Sequence, residues 1–338
     1  MVDLKTSFMG VELENPFLVG ACEMTAHMES LKKIEAAGAG GVVIKSLFEE
    51  QIQLETLRLE EELTEYDERH AEMIGIHPQL EHGGPKEHLH WVRKAVETLG
   101  IPVFASLNCV NAETWVEYAK ELEGTGIRGL ELNFYTTPLD MKKEGKDIEK
   151  EQRETLKSIR KKVSIPLSLK LSPFYANPLN VIRKFDKGGA EGFVLFNRFF
   201  QPDIDIDKEE HLLDFNLSNP GDYRLPLRFA GILSGRIKGD ICASGGIFTG
   251  TEAAKLVMAG ASCVQVVSAL YRNTVDHIQI MKRGLEKWME SRSFDSLEDF
   301  RGRMSKDKIK SDLFAYERAQ YVAMLMKPEK IVRDHPPY

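Results

Sequence analysis

Short apolar runs recur along the chain, and between most of them lie longer stretches whose apolar residues return at helical spacing. The runs are Phe17–Ala21, Gly41–Ser46, Pro102–Leu107, Gly129–Asn133, Leu167–Leu171, Gly192–Asn197, Asp240–Ser244 and Cys263–Val267. They are largely apolar on both faces, which predicts strands covered on both sides. Lys86–Thr98, Ala112–Glu123 and Thr251–Ala259 read as helices, the last with Ala253, Ala254, Leu256 and Val257 on one side. Roughly eight strand–helix units pair in parallel and predict an α/β fold, a (β/α)8 TIM barrel rather than a doubly wound sheet. No GxGxxG follows the first strand, and Gly38-Ala39-Gly40-Gly41 reads as the turn that ends a helix and enters a strand.

The spacing of the runs is uneven. Strand two to strand three takes the chain from Ser46 to Pro102, and strand six to strand seven from Asn197 to Asp240. Both insertions follow the C-terminal end of a strand, the face on which barrel enzymes carry their sites, and are expected to be lids or dimer contacts. Before strand one, LKTSFMGVELENPF predicts a hairpin turning at Met9-Gly10 that closes the barrel floor. Val275–Arg292 predicts a long helix, and Ser305–Tyr338 a polar, partly helical extension. The expected organisation is a barrel domain over residues 1–304 and a C-terminal extension over 305–338.

Composition narrows the function classes. With 52 Asp+Glu against 45 Lys+Arg the chain carries a net charge of −7, which repels phosphate backbones, so no nucleic-acid partner is expected. No apolar run approaches a membrane span and the N-terminus has no signal architecture, so no membrane partner is expected. Cys22, Cys109, Cys242 and Cys263 are scattered without a CxxC pair, which argues against a disulfide scaffold or a metal site and for a reducing cytoplasm.

The strand tips hold the candidate chemistry. They present Gly20-Ala21-Cys22, Lys45-Ser46, Ser106 with Asn108, Asn133, Lys170, Asn197, Ser244-Gly245-Gly246 and Val267-Ser268-Ala269. Two lysines at the ends of buried strands are costly unless compensated, and few carboxylates stand at these tips, so a ligand is expected to face them. Gly245 and Gly246 let backbone N–H groups approach a phosphate at a helix N-terminus, and Ser268 adds a second set of donors. Asp203, Asp205 and Asp207 read as the solvated edge of the second insertion rather than a cation site. His82, His88 and His90 are expected to face water, whereas His77, beside Pro78, is expected to approach the substrate. Trp91, Trp115 and Trp288 read as helix packing residues.

From Asn15-Pro16-Phe17 to about Phe300 the chain resembles the dihydroorotate dehydrogenases, most closely their cytosolic class 1 branch. The likeness rests on NPF, IKS at Ile44–Ser46, ELN at Glu131–Asn133, LKL at Leu169–Leu171, SGGI at Ser244–Ile247 and QVVSAL at Gln265–Leu270. It implies FMN across the C-terminal mouth and oxidation of dihydroorotate to orotate in pyrimidine biosynthesis. By that resemblance Gly245, Gly246, Ser268 and Ala269 hold the phosphate, Gly20 and Ala21 line the ring, and Ser46 and Asn133 also contact the flavin. Lys45 touches flavin and substrate as a catalytic cation, Lys170 faces the flavin edge, and Asn133, Asn197 and His77 bind substrate. A homodimer is implied, with a partner subunit if electrons leave for a nicotinamide or a ferredoxin.

The substrate half departs from the family pattern. Thr136 stands where a catalytic cysteine or serine is usual, Pro138 where an asparagine follows it, and Arg198 where a small hydroxyl residue follows Asn197. Glu72 falls near another substrate-gripping asparagine, where an acid repels a carboxylate. Dihydroorotate is therefore expected to be a poor substrate, and a related cyclic or unsaturated carbonyl compound is the alternative. His77 or Tyr135 is the alternative base to Thr136. A non-catalytic flavin-binding subunit and a flavin-free aldolase or isomerase are the rival classes.

Overall fold

Met9 and Gly10 both adopt left-handed backbone, with φ of 55° and 73°, and so reverse the chain between β1 (Thr6–Phe8) and β2 (Val11–Leu13). This is the expected hairpin. The computed structural model describes residues 2–48, 85–108, 112–135, 139–199, 201–212, 216–309 and 315–326. After the hairpin come β3 (Phe17–Val19), β4 (Gly41–Phe48), β5 (Val103–Asn108), β6 (Gly129–Asn133), β7 (Leu167–Leu171) and β8 (Gly192–Leu195). An exposed antiparallel pair follows, β9 (Asp203–Asp205) and β10 (Glu210–Leu212), and then β11 (Asp240–Ser244) and β12 (Cys263–Val266). Strands β3 to β8, β11 and β12 are parallel and close into one eight-stranded barrel in chain order.

Alternate residues of each strand face opposite ways, and the two sets do different work. Leu130, Leu132, Leu167, Leu169 and Leu171 point outward into the main core, against helices that flank the barrel. The inward set at the floor, Leu18, Val43, Phe104, Val194, Cys242 and Cys263, forms a separate apolar cluster with Phe8, Met9 and Leu13 of the hairpin. Glycines make room for this plug: a Cβ on Gly192 would lie 2.7 Å from Met9 Cγ and 2.8 Å from Phe8 Cζ. The Met9 N–H donates to Asp240 at 2.7 Å, tying the hairpin under β11. Cys242 and Cys263, on consecutive strands, are direct neighbours across β11 and β12. Burial, then the adjacent Cys242, hold the Cys263 thiol well above its ordinary value, so it stays protonated.

The flanking helices are α1 (Met28–Ala36), α2 (Pro85–Thr98), α3 (Ala112–Glu123), α4 (Gly145–Arg160), α5 (Pro178–Lys187) and α6 (Arg224–Leu233). They continue with α7 (Gly250–Ala259), α8 (Ser268–Asn273), α9 (His277–Ser291) and α10 (Arg318–Leu325). A carboxylate near the end of each of α1, α3 and α5 clamps the loop before a strand two units on. Glu35 accepts from the Gly100 and Ile101 N–H groups at 2.6 and 3.1 Å, and Glu123 from those of Ser164 and Ile165 at 2.6 and 3.1 Å. Asp186 does the same for Lys238 and Gly239 at 2.9 and 2.8 Å. Burial raises the Glu123 carboxyl, but the hydrogen bonds from the Ser164 hydroxyl and the two backbone groups outweigh it and leave it below the usual carboxylate range. These clamps gather at the floor and leave the opposite mouth to other chemistry.

Trp115 packs edge-on against Phe134 at 5.5 Å between ring centres, and Trp288 packs against Phe294 and Phe300 at 5.7 and 4.9 Å. Beyond residue 304, Ser305 is buried and the Tyr316 ring occupies the space over Gly231 of α6, where a Cβ would lie 2.3 Å from it. Among the described residues no helix is long and apolar enough to cross a membrane, and no group of three or more His, Cys, Asp or Glu side chains is placed to hold a metal ion.

Candidate active site

Above the apolar floor the inward positions turn polar. The lysines there are not short of carboxylates, contrary to the expectation from the strand tips. Lys170 of β7 lies 3.6 Å from Glu131 of β6 and donates to Gln265 of β12 at 3.3 Å. Gln265 donates in turn to the other oxygen of Glu131 at 2.6 Å. Ser106 of β5 donates to Glu131 at 3.3 Å, and Ser46 of β4 donates to Ser106 at 2.7 Å. Lys45 pairs with Glu23, in the 3-10 turn after β3. Glu131 is the first residue of ELN, and only strand register reveals that it meets β7 and β12. Pairing of β4 with β5 shifts register between Ile44 and Leu47, and this bulge brings Ser46 to Ser106.

Gly245 and Gly246 follow β11 with φ of 101° and 69°. They differ in their surroundings. A Cβ on Gly246 would lie 2.5 Å from the Tyr223 backbone nitrogen, whereas one on Gly245 would meet nothing within 4 Å. The Gly246 N–H is held by the Ser218 hydroxyl at 3.1 Å, and the Ser218 N–H donates to the Ser268 hydroxyl at 2.9 Å. Sequence reasoning missed Ser218, whose signal is only a hydroxyl within the second insertion. The start of α7 is closed by its own residues, since Thr249 accepts from Glu252 N–H while Glu252 accepts from the Phe248 and Thr249 N–H groups. The capping box thus takes the Phe248, Thr249 and Glu252 N–H groups at this helix start.

On the remaining side Asn197 donates to Asn133 Oδ1 at 2.8 Å, so these two asparagines are brought together. Arg198 turns away to Asp222 and Asn216, at 2.9 and 2.7 Å, and fastens the segment that carries Ser218. Tyr135, Phe199 and Phe174 form an aromatic rim, with ring centres 4.6 and 5.4 Å apart. Gly20 and Ala21 follow β3, and a Cβ on Gly20 would lie 3.0 Å from Gln265 Oε1. Burial raises the Cys22 thiol, and burial likewise pushes the Tyr271 phenol beside it up to about 12, so neither is an ionised base near neutral pH. His88 does not face water: burial lowers its pKa and its Nε2 lies 3.1 Å from the Lys45 carbonyl oxygen. Thr136, Pro138, Glu72, His77, His82 and Cys109 lie outside the described residues.

A closed parallel barrel with its charged and amide side chains gathered at the strand C-termini is the layout of a barrel enzyme. The chain belongs to the dihydroorotate dehydrogenase family, whose sequence profile matches residues 3–289, and is a dehydrogenase. The dihydroorotate dehydrogenase B (NAD(+)) catalytic subunit of Thermoplasma volcanium is 26% identical over 310 residues, covering 89% of this chain and 98% of that protein. The subunit of the same name from Pyrococcus furiosus is 26% identical over 309 residues, with 89% and 98% covered. The NAD-dependent dihydropyrimidine dehydrogenase subunit PreA of Escherichia coli is 24% identical over 319 residues, with 89% and 76% covered. Membership sets aside the aldolase, the isomerase and the non-catalytic barrel.

Proposed function

We propose that this dehydrogenase is FMN-dependent and oxidises a CH–CH bond beside a carbonyl in a small cyclic substrate, as in the conversion of dihydroorotate to orotate. The observation that carries the reading is one mouth holding both a buried Lys170, fixed by Glu131 and Gln265, and the open left-handed turn at Gly245 beside Ser268. Bound FMN supplies a two-electron acceptor. The donors at Gly245, Ser268 and Ala269 would hold its phosphate, with Gly246 and Ser218 bracing the turn. Gly20 and Ala21 offer backbone for a ring to lie against, with Lys45, Ser46 and Asn133 along its edges. Lys170 puts a cation where negative charge accumulates on reduction. The bond between Asn133 and Asn197 directs Asn133 Nδ2 and Asn197 Oδ1 to other partners, a donor and an acceptor suited to a ring amide. By the family resemblance Thr136 is the proposed proton acceptor and His77 a proposed substrate-binding residue.

A second substrate reading, an uncharged dihydropyrimidine, is favoured by Glu72 and Pro138, which replace amide donors expected to grip a carboxylate-bearing ring. Relatives named as catalytic subunits support electron exit through a partner subunit. The proposed organisation is a cytoplasmic homodimer of the barrel over residues 1–304, with residues 305–338 as its extension. The cofactor is tested on purified protein. It should be yellow, and acid should release FMN and not FAD. A colourless protein that FMN does not reconstitute contradicts the reading.

A further inference from the structure

We infer that Glu131 is a positioning residue for the mouth cation: with Gln265 it fixes where the Lys170 ammonium sits and how much positive charge a bound flavin meets. The inference rests on the FMN reading above. Glu131 is 2% exposed and projects from the inner face of β6 below Asn133. A carboxylate so buried is strongly disfavoured unless paired and hydrogen-bonded on both oxygens, and Glu131 meets that condition. One oxygen takes Ser106 at 3.3 Å and lies 3.6 Å from the ammonium, while the other takes Gln265 at 2.6 Å. The amide of Gln265 bridges the pair, since its oxygen accepts from Lys170 at 3.3 Å. Lysine is long and flexible, so two partners on neighbouring levels of the barrel wall confine it where one would leave it to swing. The glycine at position 20 belongs to the same arrangement, because any side chain there would press on the Gln265 oxygen that receives Lys170.

The consequence is electrostatic. A flavin above Lys170 meets a cation partly balanced by an anion in a poorly screened interior, so the carboxylate lowers the flavin's tendency to accept electrons. A carboxylate serving only to bury a lysine would give stability without this effect.

Glu131→Gln keeps the shape and removes the charge. In FMN-loaded protein it should raise the flavin midpoint potential, while Lys170→Met should lower it. A tenfold shift in the oxidised-to-reduced ratio corresponds to about 30 mV for a two-electron couple. Lys170→Met also strands a buried carboxylate, so the double variant Lys170→Met/Glu131→Gln should melt higher than Lys170→Met alone, and with a higher flavin potential. That comparison replaces the first where Glu131→Gln alone fails to fold. An unchanged or lowered potential in yellow protein overturns the inference while leaving the cofactor reading intact. A double variant that melts below Lys170→Met overturns the pairing itself, with or without flavin. Protein that never takes up FMN overturns the cofactor reading and this tuning role together.

Discussion

Replacing Gly245 with aspartate is expected to strip the protein of flavin while leaving the barrel folded. The backbone there has φ of 101°, and a Cβ would project into space with no atom within 4 Å. The left-handed conformation costs an L-residue about 1–2 kcal/mol, which a domain of this size tolerates. The carboxylate, however, would stand where Gly245 and the first turn of α8 are proposed to meet a phosphate, and like charges at such range cost several kcal/mol. A loss of only about 1.4 kcal/mol is already tenfold in affinity. Flavin retained per protein should therefore fall at least about tenfold, with the melting temperature close to that of the parent. Gly246→Ala should behave in the opposite way, since its Cβ would strike backbone at 2.5 Å and damage the turn rather than only its ligand. Full flavin in the Gly245 variant would place the phosphate elsewhere.

The largest loss of stability is expected from Gly250→Val. Gly250 opens α7 and lies directly against α9, where a Cβ would come within 2.2 Å of the Leu285 backbone nitrogen and 2.3 Å of the Met281 carbonyl oxygen. Both obstacles are main-chain atoms of a regular helix, so neither can move aside by a change of rotamer. Gly284 on α9 supports the same close crossing, with a Cβ contact of 3.4 Å to the Gly250 nitrogen. Forcing the helices apart should cost about 3 kcal/mol or more. Thermal unfolding measured on Gly250→Val should fall by roughly 5 °C or more, whereas Gly145→Ala, with nothing within 4 Å of its Cβ, should leave it nearly unchanged. Equal melting of both variants would show that α7 and α9 do not cross at this pair.

The barrel was legible because its order is local. Each buried strand carries its own apolar run, and each helix its own period, so β4 to β7 are found from windows of a few residues. The hairpin was legible for the same reason, through Met9-Gly10. What sequence reasoning missed depends on register between distant segments. Glu131 and Gln265 are 134 residues apart and become partners only once the sheet closes on itself. For that reason Lys170 looks short of a carboxylate in the sequence. Ser218 escaped notice because nothing in an insertion announces that its hydroxyl will hold the Gly246 amide. His88 was expected in water, yet its helix turns it toward the carbonyl of Lys45. A capping box spelled out in TGTE, Thr249 to Glu252, takes N–H groups at the start of α7, so the proposed phosphate donors are Gly245 and the first turn of α8.

Anaerobic mixing of the FMN-loaded protein with a cyclic substrate tests the central claim most directly. Dihydroorotate and the uncharged dihydrouracil are added separately, and the visible flavin band is followed in time. The account predicts bleaching of the band by a dihydropyrimidine, slower with dihydroorotate because Glu72 and Pro138 replace amide donors that would grip its carboxylate. A flavin that dithionite bleaches but that stays fully oxidised with both compounds would contradict oxidation of a CH–CH bond at this mouth.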